Sequence, residues 1–193
     1  MARYGAEHKQ ETRQRIIEAA GRRFKQDGID GSGVATLMSD AGLTNGAFYA
    51  HFASKDDLVA AVVAAQLAEQ DAKFEARAAE PDGLQRIVCE YLTPEHRDDR
   101  QNGCPSAALL DEIDRCSAAT KQAYTGGLLS LVDNIAARVA PQDPDSARLS
   151  VLGVVGLMIG TLQLSRAVAD QELATEMLEH GARTALAMLQ RES

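Results

Sequence analysis

Between Thr44 and Lys55 the chain reads Thr44-Asn45-Gly46-Ala47-Phe48-Tyr49-Ala50-His51-Phe52-Ala53-Ser54-Lys55. The phenol, imidazole and ammonium of Tyr49, His51 and Lys55 can each donate to a phosphate oxygen, and the Asn45 amide can hydrogen-bond a base edge. That is nucleic-acid chemistry. Catalysis has less to work with. A cysteine-dependent hydrolase would need Cys104, His96 and an acid such as Asp111 to converge in space, and nothing local to those residues supports it. The chain has no Gly-x-x-x-x-Gly-Lys loop and no His-Glu-x-x-His motif. His8, His51, His96 and His180 are dispersed, and Cys89, Cys104 and Cys116 lack a close zinc spacing. No catalytic residue, metal or cofactor is therefore expected.

To present such side chains, Ala35 to Lys55 must fold as two short helices around a tight turn. Leu37, Met38 and Ala41 stand three and four apart and give the first helix one apolar side, while Gly42 supplies the permissive backbone of the corner. Thr44 can cap the second helix. There Ala47, Phe48 and Phe52 can face inward, leaving Asn45, Gly46, Tyr49 and His51 at its start and on its outer face. This is a helix-turn-helix pattern, whose second helix would lie in the DNA major groove. The plainer readings are a Thr44 that only caps, and Tyr49 and His51 as ordinary helix residues; Phe48 and Phe52 read as core rather than as base wedges.

Upstream, Ile16, Ala20 and Phe24 recur every four residues from about Thr12, with Ile17 alongside, predicting an amphipathic helix that ends before Gly28. Met1 to Gln10 is polar and expected to be loose at its end. Ser32 is a possible cap for the next helix. Ser54 followed by Asp57 is a capping-box pattern starting a long helix that could continue to Ala79.

The run Gly42-Leu43-Thr44-Asn45-Gly46-Ala47-Phe48-Tyr49-Ala50-His51-Phe52-Ala53-Ser54-Lys55-Asp56-Asp57-Leu58 resembles the N-terminal signature of the tetracycline-repressor (TetR/AcrR) family of bacterial transcriptional regulators. The resemblance is strongest over Arg13 to Leu58; the remainder matches in length and helical character. It implies that Thr44, Asn45, Gly46 and Ala47 form the base-facing or close-approach start of a recognition helix and that Tyr49, His51 and Lys55 stand at positions that frequently contact the DNA backbone. Gly33, Ala35, Leu37-Met38, Ala47 and Ala53 depart from common family choices and shorten the polar reach of the head.

At 193 residues the chain can bury a substantial core, and its 45% hydrophobic, 4% aromatic composition favours close-packed helices. Three widely spaced cysteines indicate a reducing compartment. A net charge of −8 speaks against nucleic acid until its distribution is considered. Met1 to Lys25 contains Arg3, Lys9, Arg13, Arg15, Arg22, Arg23 and Lys25 against Glu7, Glu11 and Glu18, and a locally basic surface can attract phosphates on an acidic molecule; the plainer reading is an ordinary charged first helix. No apolar signal core opens the chain. Val151 to Leu164 is apolar over a stretch shorter than the roughly 20 residues of a membrane helix, so a core or interface helix and a cytoplasmic protein are expected.

Further on, Pro81 and Gly83 break the long helix, a short helix follows through Tyr91 and Leu92, and Pro94 to Gly103 reads as an exposed loop. Helices are then expected from Cys104 to Arg115, from Ser117 to near Pro141 with Gly126-Gly127 loosening its middle, from Asp145 to Ala169 and from Glu172 to about Leu189. The last two are apolar enough to meet their copies in a twofold four-helix bundle, or else to form a wholly internal core. The resemblance implies the dimer. It also implies a central cavity, for which the candidates are Leu67, Phe74, Ile87, Tyr91, Cys104, Leu109, Leu110, Ile113, Tyr124, Leu128 and Met158, suited to a hydrophobic or aromatic effector. Cys104, entering a helix after a charged loop, is either packed core or a thiol open to oxidants and electrophiles.

The expectation is thus an all-α chain. Residues 1–57 would form a DNA-binding head, and residues 58–193 a ligand-sensing and dimerisation domain. Together they would make a ligand-responsive repressor of palindromic double-stranded operator DNA, with a constitutive DNA-binding dimer as the rival.

Overall fold

A computed structural model describes residues 2–190, with side chains from position 7 onward. Met1, the side chain of Arg3 and positions 191–193 lie outside the described residues. All regular structure among the described residues is helical: α1 (Ala2–Asp27), α2 (Val34–Asp40), a 3-10 helix (Asn45–Ala50), α3 (Lys55–Ala78), α4 (Gly83–Tyr91), α5 (Pro94–Asp98), a second 3-10 turn (Arg100–Asn102), α6 (Pro105–Ile113), α7 (Ala118–Val139), α8 (Pro144–Ala167) and α9 (Gln171–Leu189).

The head forms because α1, α2 and the 3-10 helix each have one apolar side. Ile16, Ala20 and Phe24 of α1 are wholly buried against Leu37, Met38, Phe48 and Phe52. Gly28, at φ +83°, ends α1 with its N–H on the Phe24 carbonyl. Helix α2 ends in a Schellman arrangement: the N–H of Gly42, at φ +68°, donates to Ser39 O and that of Leu43 to Met38 O. This corner sets the angle between α2 and the segment after Thr44.

Several local expectations change. Helix α1 begins at Ala2 rather than near Thr12. Thr44 stands at the cap position without a side-chain cap bond, and the segment it opens is a 3-10 helix. Ser32 does not cap α2 either; its hydroxyl donates to Gly28 O, and Gly33 holds the cap position. The Ser54 pattern forms, with Ser54 Oγ accepting from Asp57 N–H, although the Asp57 carboxylate reaches back to Ala53 N–H. Pro94 to Gly103 is no simple loop. It carries α5, capped by Thr93, and is gripped by Arg166 of α8, whose guanidinium donates to the carbonyls of Arg97, Ala107 and His96. Helix α7 runs unbroken through Gly126-Gly127.

Helix α3 is common to both halves. Leu58, Val59, Val62, Val63 and Leu67 complete the head core, whereas Phe74 belongs to a second core with Val132, Ala136, Val151 and Ala185. Helix α8 is long and apolar enough, by length and composition alone, to cross a membrane. The apolar run is therefore longer than its Val151 to Leu164 heart. Its inner side, at Val151, Val154, Ile159 and Leu162, is buried in the bundle, while Leu149 and Leu164 stand 81% and 59% exposed.

Candidate nucleic-acid interface and internal cavity

Thr44, Asn45, Gly46 and Tyr49 are exposed along one edge of the head, Tyr49 at 75%. Ala47 and His51 are half-buried beside them. Phe48 and Phe52 stack at 5.8 Å beneath, and the Tyr49 ring meets Phe48 edge-on at 5.2 Å, so an apolar floor fixes the direction in which the phenol leaves the surface.

The cations divide into two groups. Arg15 donates to the Ala41 carbonyl at 2.8 Å, and Arg23 forks onto Asp40 while also pairing with Asp27, which raises its already high pKa. These two residues hold α1 to α2. Arg13 lies over the Phe52 ring at 4.7 Å. Burial lowers the pKa of His51, and the nearby charges of Lys9 and Arg13 lower it further. Its Nδ1 is enclosed without a hydrogen-bond partner. Lys9 and Arg13 thus make the edge around His51 electropositive. Lys55 is tied inward, donating to Ile29 O at 2.6 Å.

In the other half a cavity of about 450 Å³ opens between α3, α4, α7 and α8. Leu67, Phe74, Ile87, Tyr91, Cys104, Leu128 and Met158 line it. Leu109, Leu110, Ile113 and Tyr124 do not. Leu109 and Ile113 are turned into the head core and Leu110 is partly exposed. Tyr124 stands one layer back, donating its hydroxyl to Ser106, which does line the cavity. Sequence reading missed Gln70, His96 and most of the α8 wall, where Val151, Val154, Val155 and Ile159 join Met158, although that three-four spacing is itself a stripe signal.

The Cys104 end of the cavity adjoins the head. Cys104 is 7% exposed and its N–H donates to His96 Nε2, while His96 Nδ1–H donates to Tyr91 O at 2.6 Å. Burial lowers the pKa of His96, so the ring stays neutral in the tautomer these two bonds require. One residue earlier, Gly103 O accepts from Lys25 of α1. At the far end of α6, Glu112 accepts from the N–H groups of Ile29 and Asp30. Helix α6 therefore joins the cavity wall to the core and loop of the head.

The segment 16–62 matches the model of the bacterial regulatory proteins of the tetR family. Over 58 residues the chain is 43% identical to the HTH-type transcriptional regulator AcrR of Shigella flexneri, covering 30% of this chain and 27% of that protein. It is 44% identical over 63 residues to the HTH-type transcriptional regulator TtgR of Pseudomonas putida, covering 33% and 30%. Residues 16–62 thus carry the DNA-binding segment of the tetR family. These matches span less than a third of either relative's length. Over nearly the whole chain only the fold is shared: with the reduced form of E. coli NemR at TM-score 0.74 and 18% identity, covering 91% of this chain and 95% of that one. A TetR-family regulator from Agrobacterium tumefaciens gives TM-score 0.73 and 20% identity, covering 95% and 98%.

Proposed function

We propose that this chain is a binding protein rather than an enzyme: a homodimeric, cytoplasmic repressor that grips palindromic operator DNA and releases it when a hydrophobic or aromatic effector fills the internal cavity. Residues 1–57 act as the DNA-binding head, and 58–193 as the sensing and dimerisation domain. Thr44, Asn45, Gly46 and Ala47 face the bases, and Tyr49 and His51 hold the backbone with help from Lys9 and Arg13. Lys55 contributes through the loop that it pins as well as through its charge.

The observation that carries this reading is the double attachment of α6. Cys104, at its start, lines the cavity, and Leu109, Ile113 and Glu112 further along are built into the head. A ligand that displaces the start of α6 shifts the surface on which the head rests, which is the differential contact that linkage requires. Two copies joined through α8 and α9 would set two heads to read successive major-groove faces about 34 Å apart. The exposed Leu149, Leu164 and Leu173 supply the apolar area for that union.

The test is selection of bound DNA from a random duplex pool, repeated with a chemical panel. Recovery of an inverted repeat that one apolar compound releases is the expected result. A recovered repeat that no compound releases leaves a constitutive binder, and no recovered DNA at low salt removes the regulatory reading. A second reading is favoured by the position of Cys104 in the cavity wall, where an electrophile or oxidant could act as effector by modifying the thiol. A native thiol that stays inert until the protein unfolds excludes that route.

A further inference from the structure

The walls of the cavity also specify the charge and polarity of what it takes. Its charged lining groups are already paired, Lys73 with Glu69 and Arg77 with Glu90. Both nitrogens of His96 are committed to backbone groups. Lys25 lines only a smaller adjoining chamber of about 220 Å³, where it serves Gly103. The larger chamber therefore presents no unpaired counter-charge among its described lining residues. An ionic ligand would have to leave water for an apolar space without compensation, at a large cost.

What the larger chamber does present is neutral and unsatisfied. The Tyr91 hydroxyl is sealed from water beside Cys104 and has no hydrogen-bond partner of normal geometry. A buried donor left in that state marks a place where a bound molecule supplies the acceptor. Burial raises the Tyr91 pKa well above its ordinary value, so the phenol keeps its proton and can only gain by donating. The Gln70 amide, also on this wall, is held only by the weak hydrogen bonds of the Cys104 sulfur, at 3.6 and 3.7 Å, which a carbonyl oxygen can replace. Tyr91, Gln70 and Cys104 line both the large and the small chamber, so this polar patch lies where the two meet.

Building on the reading of the cavity as an effector site, we propose that its ligand is a neutral molecule with an apolar ring-sized body and an oxygen acceptor of the ketone, ester or amide kind. The oxygen takes up the donors of Tyr91 and Gln70, and the body lies among Phe74, Leu128, Val155 and Met158. The volume is within the range of small-molecule sites.

Calorimetric titration of the full chain with 1-tetralone, tetralin, 1-naphthoate and 1-naphthylmethylammonium tests this. The ketone is expected to bind on the order of tenfold tighter than the hydrocarbon, since it alone satisfies the buried donor. Tyr91→Phe is expected to erase that preference and leave tetralin unchanged. Equal affinity for tetralone and tetralin in the unaltered protein overturns the proposed class but leaves an apolar effector site standing, as does a preference for either ion. A ketone preference that persists in both Tyr91→Phe and Gln70→Leu removes the assigned donors. Failure of every probe to bind removes the effector site itself.

Discussion

The ammonium of Lys25, in the first helix of the head, donates to the carbonyl of Gly103, 78 residues away, at 3.0 Å. The lysine is 7% exposed, and burial lowers its pKa from the usual 10.5. A buried cation held to one carbonyl is a costly way to join two parts of a chain, so its position next to Cys104 points to coupling between cavity and head. Lys25→Met is expected to leave the protein folded and able to bind operator while weakening release by effector several-fold. The unfolded chain also keeps the Lys25 proton over a pH range in which the folded chain has lost it. Stability therefore rises with pH towards 10.5, and that increment is lost as pH falls to the lower folded value. Urea midpoints of the parent and Lys25→Met, compared across the alkaline range, check the sign: the parent should gain on the variant as pH rises.

Acid is expected to loosen the same region. His96 must stay neutral to accept from Cys104 N–H, and burial lowers its pKa below 6.5; His51 is lowered too, first by burial and then by Lys9 and Arg13. Their stabilising contribution is complete above 6.5 and is lost as pH falls through the folded values, because the unfolded chain protonates first. Imidazole resonances followed by NMR should titrate below 6.5 for both residues, and the urea midpoint should fall in step. An unperturbed His96 titration with intact α5 would contradict the hydrogen-bond assignment.

The helices could be read from the sequence because their apolar periodicity is local: Ile16, Ala20 and Phe24 lie on one face whatever packs there. So could the corner at Gly42, since its neighbours demand a left-handed residue. What could not be read was where equivalent apolar residues go. Leu109 and Cys104 stand on one short helix and its cap, yet the first is buried in the head and the second lines the cavity. That choice depends on the docking of α6 between two cores, which leaves no mark in spacing. The Arg166 clamp on α5 was hidden likewise, because a guanidinium binding distant carbonyls has no sequence signature.

Tyr49 and Lys55 should separate phosphate contact from scaffolding. Tyr49 is 75% exposed, and Tyr49→Phe removes only a neutral donor, so operator affinity should drop about fivefold on all sequences with an unchanged salt slope. Lys55→Ala should cost more, since it also frees Ile29 O, and should reduce the salt slope by about one if the ammonium meets a phosphate. Binding isotherms over a range of salt concentrations distinguish the cases. An unchanged slope for Lys55→Ala would confine that residue to holding the loop.

The glycines of α8 allow the dimer to be tested without disturbing the protomer. A Cβ at Gly156 or Gly160 would meet no atom within 4 Å inside the chain, and Gly156 is exposed, whereas a Cβ at Gly181 of α9 would run into Thr161. Gly156→Leu should therefore leave the thermal midpoint of the isolated fold nearly unchanged, helped by the higher helix propensity of leucine. In a dimer that packs α8 closely against its copy, the same leucine has no room, and overpacking costs roughly 1–3 kcal/mol at each copy. Sedimentation equilibrium should then show self-association weakened on the order of tenfold or more, with operator binding lost at concentrations where the parent is dimeric. A Gly156→Leu protein that stays as tightly dimeric as the parent would move the interface off this face and leave the exposure of Leu149 and Leu164 without a partner to explain it.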